Sequence, residues 1–215
     1  MKMTIDRKEI FRYLGYGKHE VDEATKQLTE TCVAELAACA EPKMVMQENM
    51  LTLGTDGEID CGCFSTKSKN LSKNLGGCER VLLMAATLGV GVDRLLLRYG
   101  KLHITNAVVI QAAAAAMIEA YCNGLCAQWK NEYEEKGLYL RPRFSPGYGD
   151  FSLECQEKIL NGLNAGKRIG ITLTDGGLMM PSKSVTAVIG ISRTKDMCPV
   201  YGCEACENKM CRYRR

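Results

Sequence analysis

Between Ala107 and Cys126 the chain runs through five consecutive alanines and a series of larger apolar residues, with Gln111 and Glu119 interrupting it. Alanine has the highest helix propensity of any residue, and its small side chain lets neighbouring backbones approach closely. This run predicts a central buried helix around which the other elements must be arranged. The apolar tract from Ala107 to Ile118 is too short to cross a bilayer, and Gln111 breaks it. It is therefore read as the core helix of a globular domain. At 215 residues the chain can bury a sizeable core as one large domain with a small appendage. Glu119 stands on or beside the small apolar face. If buried, its carboxylate needs a partner or must neutralise; periodicity alone leans towards the solvent edge, where it would mean nothing.

Upstream, residues 6–15 and 20–39 carry apolar positions at helical spacing (Ile10, Leu14, Val21, Leu28, Cys32), and Pro42 ends this helical pair. Met44 to Leu53 predicts a strand, Asp56-Gly57 a tight hairpin turn, and Ile59, Cys61 and Cys63 the returning strand. Cys61 and Cys63 on one strand face read as buried thiols, with a metal pair as the alternative. Residues 66–77 predict a short solvated helix. The apolar run Val81 to Thr87 predicts a buried strand, and Gly89-Val90-Gly91 a glycine turn into the helical tract Arg94–Tyr99. Arg94 stands where a dinucleotide fingerprint would have its third glycine. The polar continuation of the long helix, from Trp129, stops at Gly137.

Beyond it, Arg143-Phe144-Ser145-Pro146-Gly147-Tyr148 holds too many turn-formers for a helix or an inner strand. Pro142 and Pro146 restrict the backbone on both sides of Arg143, and Gly147 permits a close approach to a ligand. A stiff loop presenting a guanidinium is a binding candidate. Ser152 predicts the cap of a helix over 153–163 with Gly166 as terminator, and residues 168–175 and 183–191 predict strands joined by a turn at Met179-Met180-Pro181.

The formal net charge of +3, with Lys and Arg interleaved among Asp and Glu, gives no footprint for nucleic acid. The first residues carry no apolar signal core, so the expectation is a cytoplasmic protein without a membrane segment. Twelve cysteines in that compartment read as thiols or metal ligands rather than disulfides. Cys198, Cys203, Cys206 and Cys211 place four soft ligands in a segment with few core-forming side chains. A metal orders such a segment most simply, and four thiolates suit zinc or an iron–sulfur cluster. The expected organisation is an α+β domain over residues 1–192, with helices, including a helical part over 1–40, packed on a bent, mainly antiparallel sheet. A small cysteine-rich, metal-binding appendage is expected over residues 193–215.

Arg143-x-x-x-Gly147-Tyr148, followed by Leu173-Thr174-Asp175-x-x-x-Met179-x-Pro181-x-x-Ser184-Val185-Thr186, resembles the activation domain of cobalamin-dependent methionine synthase. Glu119-Ala120-Tyr121 is similar to a Glu-Ala-Phe in that family's preceding helix. Asp175 stands where the family has Glu, and an aromatic that follows the family's Ser-Val strand has no clear counterpart. The chain looks most like the stand-alone activation proteins of some bacteria. The resemblance implies a site for S-adenosylmethionine formed by Glu119, Arg143, Ser145, Gly147 and Tyr148. It implies no catalytic acid or base, and a methyltransferase-type accessory role: reductive methylation of cob(II)alamin to methylcobalamin on methionine synthase or another corrinoid protein. The electron would come from a flavodoxin- or ferredoxin-type donor, or from a [4Fe–4S] cluster on the four tail cysteines. An iron–sulfur electron-transfer protein, and a non-catalytic S-adenosylmethionine-binding module with structural zinc, are the alternative readings.

Overall fold

The computed structural model describes residues 5–17 and 19–195, so the four tail cysteines and the predicted appendage beyond residue 195 lie outside the described residues. The chain is an α+β domain. Its helices are α1 (Arg7–Tyr13), α2 (Glu23–Cys39), α3 (Lys69–Asn74), α4 (Val90–Leu102), α5 (Ile104–Glu134), α6 (Cys155–Gly162) and α7 (Ala165–Ile169). Its strands are β1 (Lys43–Met50), β2 (Thr52–Leu53), β3 (Glu58–Asp60), β4 (Ser65–Lys67), β5 (Cys78–Thr87), β6 (Tyr139–Leu140), β7 (Thr172–Leu173), β8 (Met179–Met180) and β9 (Ser184–Ser192).

The main sheet has the order β1-β5-β9-β6 and every pairing in it is antiparallel. The two inner strands explain their own sequences. Leu82, Met84 and Ala86 of β5, with Ala187, Ile189 and Ile191 of β9, face the helical layer of α1, α2, α4 and α5. Val81, Leu83 and Ala85, with Val188, face a second layer that includes residues of α3, α6 and α7. With both faces covered, these strands are continuous apolar runs instead of apolar-polar alternations.

Helix α5 is the predicted central helix, 31 residues long. Val109, Ile110, Ala113, Ala114 and Met117 recur at helical spacing and are buried against the sheet and α1, α2 and α4. By length and composition it would pass for a membrane span, yet these side chains belong to the core. Gly89 begins α4 at φ 85, a left-handed conformation that favours glycine.

Several local expectations are corrected. Strand β3 stops at Asp60, whose carboxylate accepts the Gly62 N–H at 2.8 Å, and Cys61 N–H bonds Phe64 O at 3.0 Å. Cys61 and Cys63 therefore sit in a turn leading to β4. Residues 165–169, expected in part as strand, form α7, which Gly170 ends at φ 75; Gly166, expected to terminate the preceding helix, lies inside α7, and α6 ends at Gly162 with Leu163 as its C-cap. Only Thr172–Leu173 is strand there, paired with Met179–Met180, which was expected as a turn. Helix α6 starts at Cys155 with Glu154 as its N-cap, while Ser152 Oγ accepts the Glu154 N–H at 3.3 Å. Helix α3 is not solvated on all sides, because Leu71 is fully buried.

Candidate functional site

The Arg143 loop is an extension of the sheet. After β6, Arg141 N–H donates to Gly190 O at 2.8 Å, and Phe144 exchanges hydrogen bonds with Val188 at 2.8 and 2.9 Å. Arg143 is thus held between two anchors on β9. The chain then turns: Tyr148 N–H bonds Ser145 O at 3.2 Å and Gly147 N–H bonds Phe151 O at 2.8 Å, with Gly147 at φ 89. Phe151 is buried, and its ring packs between Phe144 and Phe64 at centroid distances of 6.2 and 6.3 Å.

Asp150 fastens the far end of the loop to the start of α3. Its carboxylate accepts from Ser68 Oγ at 2.5 Å, Lys69 N at 2.7 Å and Asn70 N at 3.1 Å. The Ser68 hydroxyl holds the Asp150 pKa below its ordinary value against the opposing effect of burial, with the backbone N–H groups of Lys69 and Asn70 adding to it. A depressed carboxylate pKa contributes stability above the unfolded value of about 3.9, and that contribution disappears as the pH falls through the folded value. The variant Asp150→Asn should melt below the parent protein at neutral pH, and the gap should close on acidification below about pH 4. Melting curves across that range check it; a gap independent of pH would exclude the charge as its cause.

On the helical side, Arg143 Nη2 donates to Glu119 Oε2 at 2.6 Å and to Asn123 Oδ1 at 2.9 Å. The Arg143 and Glu119 side chains are 20% and 35% exposed. Glu119 and Asn123 are one turn apart on α5, so they share a face. Burial opposes the guanidinium charge, but the nearby Glu119 and Cys122 outweigh it and hold the Arg143 pKa above its ordinary value. Burial pushes the Cys122 thiol up to about 12, with Arg143 pulling the other way. The Tyr13 hydroxyl pKa is raised by burial and then by the charge of Glu119. Arg143 Nη1 and Nε make no hydrogen bond among the described residues, leaving donors for an anionic ligand.

The structure therefore joins two of the five predicted ligand residues, Glu119 and Arg143, although they are 24 positions apart. Ser145, Gly147 and Tyr148 lie on the turn that follows, with the Tyr148 side chain exposed, and make no hydrogen bond to the pair. Asn123 was not anticipated, although its i, i+4 spacing from Glu119 was a signal for it.

The second segment of the sequence resemblance closes on α4. Asp93 accepts the Ser182 N–H at 2.9 Å and the Ser182 hydroxyl, and the Ser184 hydroxyl bonds Pro181 O at 2.7 Å. Beside this turn a groove of about 520 Å³ runs between α1, α4 and α5, lined by Tyr13, Leu96, Val108, Gln111, Ala115 and Lys183 among others. Burial lowers the Lys183 pKa, with Asp93 acting in the opposite sense.

Fold and site together define an α+β domain in which a sheet-anchored loop delivers an arginine to a carboxylate on the core helix. The crystal structure of the MetH reactivation domain bound to AdoHcy has this fold, with a TM-score of 0.63 and 18% identity over 86% of this chain and 73% of that one. No family model matches the sequence, and no curated protein matches it.

Proposed function

We propose that the chain binds S-adenosylmethionine at Arg143 and supports the reductive reactivation of cobalamin-dependent methionine synthase, or of another corrinoid protein, as a separate accessory component in the cytoplasm. The observation that carries this reading is the Arg143–Glu119 pair at 2.6 Å on a loop of the form Arg-x-x-x-Gly-Tyr. The likeness in fold to a domain solved with AdoHcy supports it.

The methionine end of the ligand carries an ammonium and a carboxylate. An arginine with free donors beside a carboxylate offers complementary groups to both, and Arg143 can take the ligand's carboxylate as a planar fork. Glu119 faces the ammonium or a ribose hydroxyl as acceptor. Ser145, Gly147 and Tyr148 would contribute backbone hydrogen bonds and a ring to the nucleoside end. Transfer of the sulfonium methyl, with one electron, converts the partner's cob(II)alamin to methylcobalamin and leaves S-adenosylhomocysteine. No proton moves in that balance, so the protein's contribution is to hold the methyl donor in line with its acceptor.

The electron would come from a flavodoxin- or ferredoxin-type donor or from the tail. Cys198, Cys203, Cys206 and Cys211 would hold a [4Fe–4S] cluster, or zinc in a purely structural appendage. Anaerobically purified protein should contain iron and acid-labile sulfide and absorb broadly in the visible; zinc alone would leave the electron to an external donor. The function itself is tested by mixing the protein with cob(II)alamin-loaded synthase, a reductant and S-adenosylmethionine. Methylcobalamin should form, and its absence, with the ligand shown by calorimetry to bind, would remove the reactivation role.

A further inference from the structure

The groove beside Lys183 is built differently from the Arg143 loop. Val108, Gln111 and Ala115 follow one another along one face of α5, at steps of three and four residues, and Leu96 of α4 and Tyr13 of α1 complete the walls. A volume of about 520 Å³ lies in the range that holds small organic ligands. Val108 is 54% exposed although it lines a concave surface. Lys183 has its backbone fixed, because its carbonyl accepts the Leu88 N–H at 3.0 Å and its neighbour Ser182 is tied to Asp93. Its ammonium makes no ion pair or hydrogen bond among the described residues. Asp93, whose charge it feels, already accepts both the N–H and the hydroxyl of Ser182.

We infer that this groove is a second binding site, for a small carboxylic acid with an apolar body, in which Lys183 takes the carboxylate and the walls formed by Leu96, Val108 and Ala115 cover the apolar part. The complementary charge selects the occupant: a neutral apolar ligand would leave a half-buried ammonium unpartnered, and a carboxylate supplies its partner. The Gln111 amide, on the same helix face, offers a second donor. The inference does not rest on S-adenosylmethionine binding at Arg143.

The test uses the full chain and the fluorescent probe 8-anilinonaphthalene-1-sulfonate, an apolar ring system with one anionic group. Fluorescence titration should show one saturable site, from which sodium octanoate displaces the probe and octanamide does not. Lys183→Met should weaken probe and octanoate binding at least about tenfold, the loss expected for one charged hydrogen bond. Ala115→Leu, which fills the groove from its floor, should abolish both, while Arg143→Ala leaves them unchanged. Melting curves for each variant keep loss of fold separate from loss of binding. Equal displacement by octanamide, as expected of a groove for an apolar peptide segment, overturns the proposal, as does unchanged affinity in a folded Lys183→Met variant. Competitive displacement by S-adenosylmethionine would assign the groove to the Arg143 site and overturn it equally. A failure of S-adenosylmethionine to bind at all would count against the proposed function and leave the octanoate result standing.

Discussion

Replacing Arg143 by alanine is expected to weaken the proposed S-adenosylmethionine binding about 10- to 100-fold, the equivalent of one charged hydrogen bond at roughly 1.5–3 kcal/mol. The side chain is positioned from both ends: its backbone lies between two β9 anchors, and its Nη2 is oriented by Glu119 and Asn123 on α5. The proposed ligand would therefore meet a guanidinium that has already lost much of its conformational freedom. Arg143→Lys keeps the charge but loses the planar fork, and should fall between the two. Stability should fall as well, because the side chains of the pair are only 20% and 35% exposed and the truncation leaves the Glu119 carboxylate without its counter-charge. Calorimetric titration beside a melting curve separates the two effects. A folded Arg143→Ala protein with undiminished affinity would remove this residue from the ligand site, and equal methylcobalamin formation in the reactivation assay would remove it from the function.

Gly91→Ala is expected to destabilise the fold by about 3 kcal/mol, lowering the melting temperature by roughly 6–12 °C. Helix propensity alone predicts the opposite sign, since alanine stabilises an exposed helix by up to about 1 kcal/mol relative to glycine. Gly91 lies in the first turn of α4, where a Cβ would stand 2.2 Å from the carbonyl oxygen of Cys39. That oxygen is backbone at the last residue of α2, so no side-chain rotation relieves the contact. The two helices would have to separate, loosening a layer in which both also pack against α5. Because Asp93, two residues further along, holds the Ser182 turn, the groove beside Lys183 should widen as well. Urea unfolding checks the prediction, and a midpoint at or above that of the parent protein would show that the helices part without cost.

Gly91 also shows how far the chain was legible. Read as a sequence, Gly89-Val90-Gly91 is a turn between strand and helix, and at Gly89 that is what the structure contains, with φ 85. At Gly91 the reason for glycine is a carbonyl 52 positions earlier in the chain, a contact invisible to any local pattern. The corrected elements divide in the same way. Residues 168–175 alternate like a strand over a stretch too short to distinguish a terminal helix turn from an edge pairing, and the competing packing of Ala165 and Ile171 in the second layer decided it. Cys61 and Cys63 follow a hairpin signal that was right, but Asp60 folds back on Gly62 and ends the strand before either cysteine.

What the sequence by itself determined is the long α5 helix, the apolar β5 and β9 strands, the α+β class and the turn that follows Arg143, because each rests on periodicity or on backbone restrictions within a few residues. Only the tertiary structure decided that β5 and β9 lie side by side at the centre of the sheet, that the extended segment after β6 runs along β9, and that Arg143 consequently meets Glu119 and Asn123. Glu119 could be weighed as a buried partner or as a solvent-edge charge, and local spacing could not choose between them. The choice depended on which cation the sheet register carried to its helix face, and register is set by pairing across the whole chain.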